Sequence, residues 1–173
     1  MHLHITSRLI LLFFVLAFIF FVLQVAAPVS LPASTMQSLS GCVGVMDNGE
    51  RIREIGLPWN IVYEAGDLLC HQKSERSFFI NGNQMPFCSR CTAIWFGLVV
   101  GLGVMVFYRM RLSGRFVLGV LLGLVPIGVD GFGQLFGLWD STNLVRVLTG
   151  LPAGFVCGVA VGVIVYENRG IKN

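Results

Sequence analysis

The side chains able to do chemistry gather between Cys70 and Cys91. The stretch reads Cys70-His71-Gln72-Lys73-Ser74-Glu75-Arg76-Ser77, passes through an aromatic and turn segment, and closes on Cys88-Ser89-Arg90-Cys91. Three of the five cysteines and one of the three histidines fall inside it. Cysteines with two residues between them can bite one metal ion or close a short disulfide. With Cys88 and Cys91, the pair Cys70 and His71 would complete a tetrahedron of three cysteines and one histidine, for which zinc is the first choice. Adjacent side chains point apart on regular backbone, so Cys70 and His71 bind one ion together only where the chain leaves helix or strand. If Cys70 alone ligates, the fourth position falls to His2, His4, Asp67, Glu75 or a water, and a water would leave the site open to substrate. Pro86 places Cys88 and Cys91 at the start of a helix, where unpaired N–H groups and Arg90 favour thiolate.

The same cysteines admit two other readings. One is a membrane thiol–disulfide oxidoreductase using Cys88 and Cys91, with Cys42 and Cys70 as a second pair and His71 assisting proton transfer. That arrangement resembles quinone-linked disulfide oxidases, although no quinone site is recognisable. The other is a set of ordinary disulfides stapling a loop. The candidate catalytic groups are Asp130, Arg76 and Arg146. Lys73, Arg76 and Ser77 could hold an anion or steady thiolates, or simply meet lipid headgroups and Glu75. Asp130 and Gln134 share a helical face inside an apolar segment. Ionisable groups there are functional candidates by default. Arg146 is the partner in reach, so a clamp between two spans is the plainer expectation. If Asp130 instead faces the thiols, it would accept a hydrogen bond or carry a proton.

The elements that must position these groups are membrane helices. The chain is 55% hydrophobic and 12% charged, against about 25% charged in soluble domains. The net charge of +3 forms no patch of the kind nucleic acid needs, so no nucleic-acid partner is expected. The sequence predicts an all-α integral membrane protein with about four transmembrane helices and one long cysteine-containing extramembrane loop, embedded as a multi-pass protein of the cell membrane. Residues 1–27 form an N-terminal anchor. Leu9 to Ala27 is an uncharged run of spanning length; a cleaved signal ending at Val25-Ala26-Ala27 is the competing reading, disfavoured by the long core and Pro28. Residues 28–87 form the loop. It opens with a Pro/Ser/Ala linker and turns at Asp47-Asn48-Gly49. Weak alternation at Val43, Val45, Ile52 and Ile55 there suggests a short hairpin. An amphipathic helix follows from Trp59 to Leu69, lying on the membrane surface or on the bundle, and delivers Cys70 at its end. Residues 88–166 hold three spans: Cys91 to Tyr108, Phe116 to about Trp139, and Leu144 to Tyr166. Residues 167–173 are a polar tail.

Orientation follows from basic residues in short loops. Arg109, Arg111 and Arg115, with Arg8, Arg169 and Lys172, mark one side; Arg51, Arg53, Lys73, Arg76, Arg90 and Arg146 lie on the other. Long loops weigh little in this rule, so the compact arginine loop decides: termini in the cytoplasm, thiol loop outside. Gly150, Gly154, Gly158 and Gly162 fall on one face of the last span, with Gly97 and Gly101, and Gly119 and Gly123, repeating the spacing. Such grooves pack helices closely, within one bundle or across a homo-oligomer. Cys157, in the same span, is read as a small apolar residue.

These residues resemble a known family, the predicted archaeal and bacterial membrane proteins grouped as domain-of-unknown-function 2085. The resemblance rests on Cys70-His71-Gln72, Arg76-Ser77-Phe78, Cys88-Ser89-Arg90-Cys91 and Gly97, and continues through Asp130-Gly131, Gln134, Asn143, Arg146 and Gly150. It covers about Tyr63 to Gly158. It implies that the thiol loop and the Asp/Gln/Asn/Arg set occur together, and it implies no reaction. The combined expectation is a zinc site at the membrane surface. The alternatives are the oxidoreductase and a non-catalytic membrane assembly subunit.

Overall fold

The computed structural model describes residues 8–168. Its elements are α1 (Arg8–Ser30), α2 (Gly49–Glu54), α3 (Trp59–Leu69), a 3₁₀ turn (Ser74–Arg76), strands β1 (Ser77–Ile80) and β2 (Asn83–Cys88), α4 (Ser89–Phe107), α5 (Gly114–Leu135) and α6 (Asn143–Asn168). Helices α1, α4, α5 and α6 are each long and apolar enough to cross a membrane. At 1.5 Å per residue, 19 residues of α4 reach about 28 Å, close to the thickness of a hydrocarbon core. The chain divides into two compact units, Phe20–Thr92 and the remainder.

In the first unit, α1 runs three residues past Ala27, through Pro28 to Ser30, where a linker is expected from sequence. A helix end leaves carbonyls unpaired, and here side-chain amides meet them. Asn83 Nδ2 donates to the carbonyl of Pro28 at 3.0 Å, and Asn81 Nδ2 to that of Leu31 at 3.0 Å. Both asparagines come from the β1–β2 hairpin. Its two-residue turn, Asn81-Gly82, has φ of 54° and 71°, the left-handed pair that a tight hairpin turn requires. Ile80 faces Asn83 and Phe79 faces Gln84 across it.

The hairpin expected around Asp47-Asn48-Gly49 is not formed. That segment starts α2 instead, and the strands lie thirty residues further on. The reason is a distant partner. Asp67 takes the Asn48 backbone N–H at 2.8 Å and its side-chain amide at 2.6 Å. Asp47 Oδ2 meanwhile accepts from the Cys42 N–H at 2.7 Å. Ala27, Leu31, Met36, Leu39, Ile52 and Tyr63 make the apolar core under this layer.

In the second unit the glycine faces meet within the chain. A Cβ on Gly97 would lie 2.3 Å from the Leu151 carbonyl oxygen, and one on Gly154 would lie 2.0 Å from that of Ile94. Gly101 and Gly158 meet in the same way. The backbones of α4 and α6 therefore touch, which only glycine permits. The α5 helix is capped by Ser113, whose hydroxyl accepts from the Phe116 N–H at 3.2 Å, and it packs on α6 where Gly123 admits Val156. Beyond α4, the Arg109 guanidinium lies 4.9 Å from the Tyr166 ring centre.

Candidate functional site

Three elements deliver the thiols. Cys70 is the residue after α3, with extended backbone. Cys88 ends β2, and Cys91 sits in the first turn of α4. Their Sγ atoms all lie within 4.8 Å of one another. Tetrahedral zinc with bonds of about 2.3 Å needs sulfurs about 3.8 Å apart, so small side-chain rotations close the set on one ion. Cys70 is buried at 2% exposure, whereas Cys88 and Cys91 are half-buried. The Cys88 backbone N–H points to Cys70 Sγ at 3.4 Å. Cys70 is pushed above the ordinary thiol range, first because its thiol donates to Cys88 and then by burial. Cys88 is held well below that range, first by the Cys70 thiol, then by the Cys91 thiol and the backbone N–H groups of Cys91 and Arg90. Those N–H groups are the unpaired donors of the α4 start.

His71 is exposed and its ring is outside this group of three. Its backbone carbonyl accepts from the Gly41 N–H at 2.9 Å. Next to that contact, Cys42 is exposed; all five cysteines are free thiols, and Cys42 is not among the clustered three. Of the other fourth ligands weighed from sequence, Asp67 is fully buried and bonded to Asn48, and Glu75 is exposed beside Arg76 at 3.7 Å. His2 and His4 lie outside the described residues. Arg76 therefore shows a surface ion pair, a weak interaction. The Ser77 hydroxyl is turned inward, to the Lys73 carbonyl at 2.9 Å and to Gln84 Nε2 at 3.2 Å.

Sequence reasoning missed the buried amides that fix the thiols. Gln72 is fully buried with φ of 45°. Its Nε2 donates to the Pro86 carbonyl at 2.8 Å, and its Oε1 accepts from Asn48 Nδ2 at 3.3 Å. Gln84, also fully buried, donates to the Gln72 carbonyl and accepts the Leu39 N–H at 2.9 Å. One amide thus ties the chain two residues after Cys70 to the chain two residues before Cys88. Gly66 lets α3 lie against this strand, because a Cβ there would lie 2.0 Å from the Pro86 carbonyl oxygen. The available signal was a glutamine flanking the Cys-His pair beside Asn48 in its turn; nothing local showed that they meet.

Asp130 and Arg146 belong to a second polar cluster, where α5 ends and α6 begins. Both are buried. Asp130 Oδ2 accepts from Gln134 Nε2 at 3.0 Å and the Ser141 hydroxyl at 3.1 Å, and Oδ1 accepts from Trp139 Nε1 at 3.2 Å. Arg146 donates to Gln134 Oε1 at 3.2 Å. Trp139 lies over Gly133, where a Cβ would meet its ring at 2.0 Å.

Four apolar helices and a cluster of three thiols at the head of one of them define a multi-pass membrane protein seated in a lipid bilayer. Over residues 70–160 the chain matches the family described as predicted membrane protein, DUF2085. More than half of the chain lies in that match, and the chain belongs to that family. It is 39% identical over 98 residues to an uncharacterized protein of Methanocaldococcus jannaschii, covering 54% of this chain and 62% of the relative. It is 41% identical over 93 residues to an uncharacterized protein of Methanothermobacter thermautotrophicus, covering 54% of this chain and 82% of that relative. The shared region thus spans less than two thirds of the first relative. No solved structure matches the chain.

Proposed function

We propose that this protein holds one metal ion, zinc first, on the thiolates of Cys70, Cys88 and Cys91 at the membrane surface. The observation that carries this reading is the convergence of the three Sγ atoms within 4.8 Å; hydrogen bonds from the Cys70 and Cys91 thiols, which hold the Cys88 thiol below its ordinary range, favour the same reading. Soft thiolates select zinc or another thiophilic ion over magnesium or calcium. His71 or a water supplies the fourth position; a water makes the centre open and reactive, whereas His71 closes it as a structural site. Asp130 and Arg146 act as a clamp, supported by the shared bond to Gln134, which joins α5 to α6. The thiol unit faces the extracytoplasmic side of the cell membrane in this reading, which the arginine-rich segment Arg109 to Arg115 supports.

The test is metal content and free-thiol count on one detergent-purified sample, prepared without chelator or reductant. One zinc per chain is expected, lost in Cys70→Ser, Cys88→Ser and Cys91→Ser alike and retained in Cys42→Ser. A sample without metal, whose thiols appear only after reduction, would sink the metal reading and favour thiol–disulfide exchange.

A further inference from the structure

The α3 helix is turned inside out. Its inward face carries Val62, Tyr63, Gly66 and Asp67, all buried. Tyr63 donates its hydroxyl to the Gln84 carbonyl at 2.7 Å, and Asp67 holds Asn48. The outward face carries Ile61, Leu68 and Leu69, exposed by 57%, 44% and 55%. Positions 61, 65, 68 and 69 form one helical stripe, and the fourth of them is Ala65. The stripe is extended at its C-terminal end. The Gly44 N–H donates to the Leu68 carbonyl at 2.8 Å, which lays the exposed Val43 and Val45 beside it. A contiguous apolar surface of this kind is not left to water.

Two anchors on the same unit say what covers it. Cys70, the residue closing α3, has its Sγ within 4.8 Å of that of Cys91, in the first turn of a membrane-spanning helix. The inward face of α3 also lies on β2, through the Tyr63 bond to Gln84 and the close approach of Gly66 to the Pro86 carbonyl. The first residue of β2, Asn83, is tied to the last turn of α1, the other span entering this unit. The short helix is therefore fixed to the ends of two spans.

We propose that α3 lies in the bilayer interface, with Ile61, Leu68 and Leu69 in the acyl-chain boundary. An interfacial helix buries its apolar face about 5–10 Å deep. The thiol centre then sits at headgroup level, reached along the membrane surface. The inference uses the positions of the thiols and not their ligand, so it stands apart from the metal reading.

The test places the photoreactive residue p-benzoylphenylalanine at Ile61 or Leu68 in the full chain. The protein is reconstituted in vesicles of phosphatidylcholine and phosphatidylglycerol, with Glu50 as an exposed control. Irradiation should give phospholipid adducts at 61 and 68, at least tenfold above position 50. Adducts joining two copies of the chain, or no adduct at either position, overturn the proposal. A second measurement covers any effect of the bulky residue on folding. The emission added by Ile61→Trp should be strongly quenched by brominated phosphatidylcholine and hardly by aqueous iodide; the reverse order overturns the proposal independently.

Discussion

Cys88 enters the thiol centre as an anion, because the Cys70 and Cys91 thiols and two backbone N–H groups all point at it, while Cys70 is pushed the other way. A metal needs every ligand thiol deprotonated, so loading releases protons and weakens as pH falls. With one thiolate already formed, zinc added to metal-free protein at neutral pH should liberate about two protons per ion. Three would show that Cys88 begins protonated like the others. A pH indicator in weak buffer reads the difference. Gln72 governs the same centre without contributing a thiol. Gln72→Leu leaves the Pro86 carbonyl without its partner, at about 1–3 kcal/mol for a buried group, while the Asn48 amide keeps its bonds to Asp67 and Ser40. It also frees the segment that positions Cys70. A chromophoric chelator competing for zinc should report an affinity loss of about 10–100-fold; unchanged affinity would show that the thiols hold their own geometry.

At the scale of elements, the seam between α4 and α6 and the open flank of α5 make opposite predictions for the same substitution. Gly154→Ala drives a methyl group against the Ile94 carbonyl and should cost about 1–3 kcal/mol. Gly128 in α5 has nothing within 4 Å of its would-be Cβ, so Gly128→Ala should be neutral or slightly stabilising. Thermal unfolding in detergent distinguishes them; equal effects would contradict the seam. The four spans were legible in the sequence because a long apolar run has few alternatives in a chain this poor in charge. The limits of α3 were legible too, since its period places apolar side chains on one face. Which way that face points was not. Ordinarily the apolar side turns inward, and here Asp67, Gly66 and Tyr63 occupy the inside because Asn48 and Gln84 reach them from distant segments. The β-hairpin was misplaced for the same reason. The turn at Asp47-Asn48-Gly49 is a strong local signal, and Asp67 draws it into a helix start. Meanwhile β2 hides its strand character by burying Asn83 and Gln84 alongside Met85 and Phe87. The three cysteines were legible from spacing alone, and so was the objection that adjacent Cys70 and His71 diverge; where the His71 ring points depends on a backbone that sequence does not display.

For the molecule as a whole, orientation is the property that decides what the thiol unit can meet. The exposed, free Cys42 offers a marker beside that unit. In intact cells a membrane-impermeant maleimide should label the protein at Cys42, and Cys42→Ser should abolish the label. Labelling that appears only after permeabilisation would place the unit in the cytoplasm. The division of the chain carries a consequence for how the protein comes into being. The unit from Phe20 to Thr92 contains all three clustered thiols and both strands that align them. The loop they close is short, and the entropy lost in closing a loop grows with its length. A ribosome that has released the chain through α4, to Phe107, has already delivered all three elements that carry the thiols, while α5 and α6 are still unmade. The centre is thus able to assemble on a nascent chain held by its first span, and the later helices are added to a protein whose thiol centre is already built.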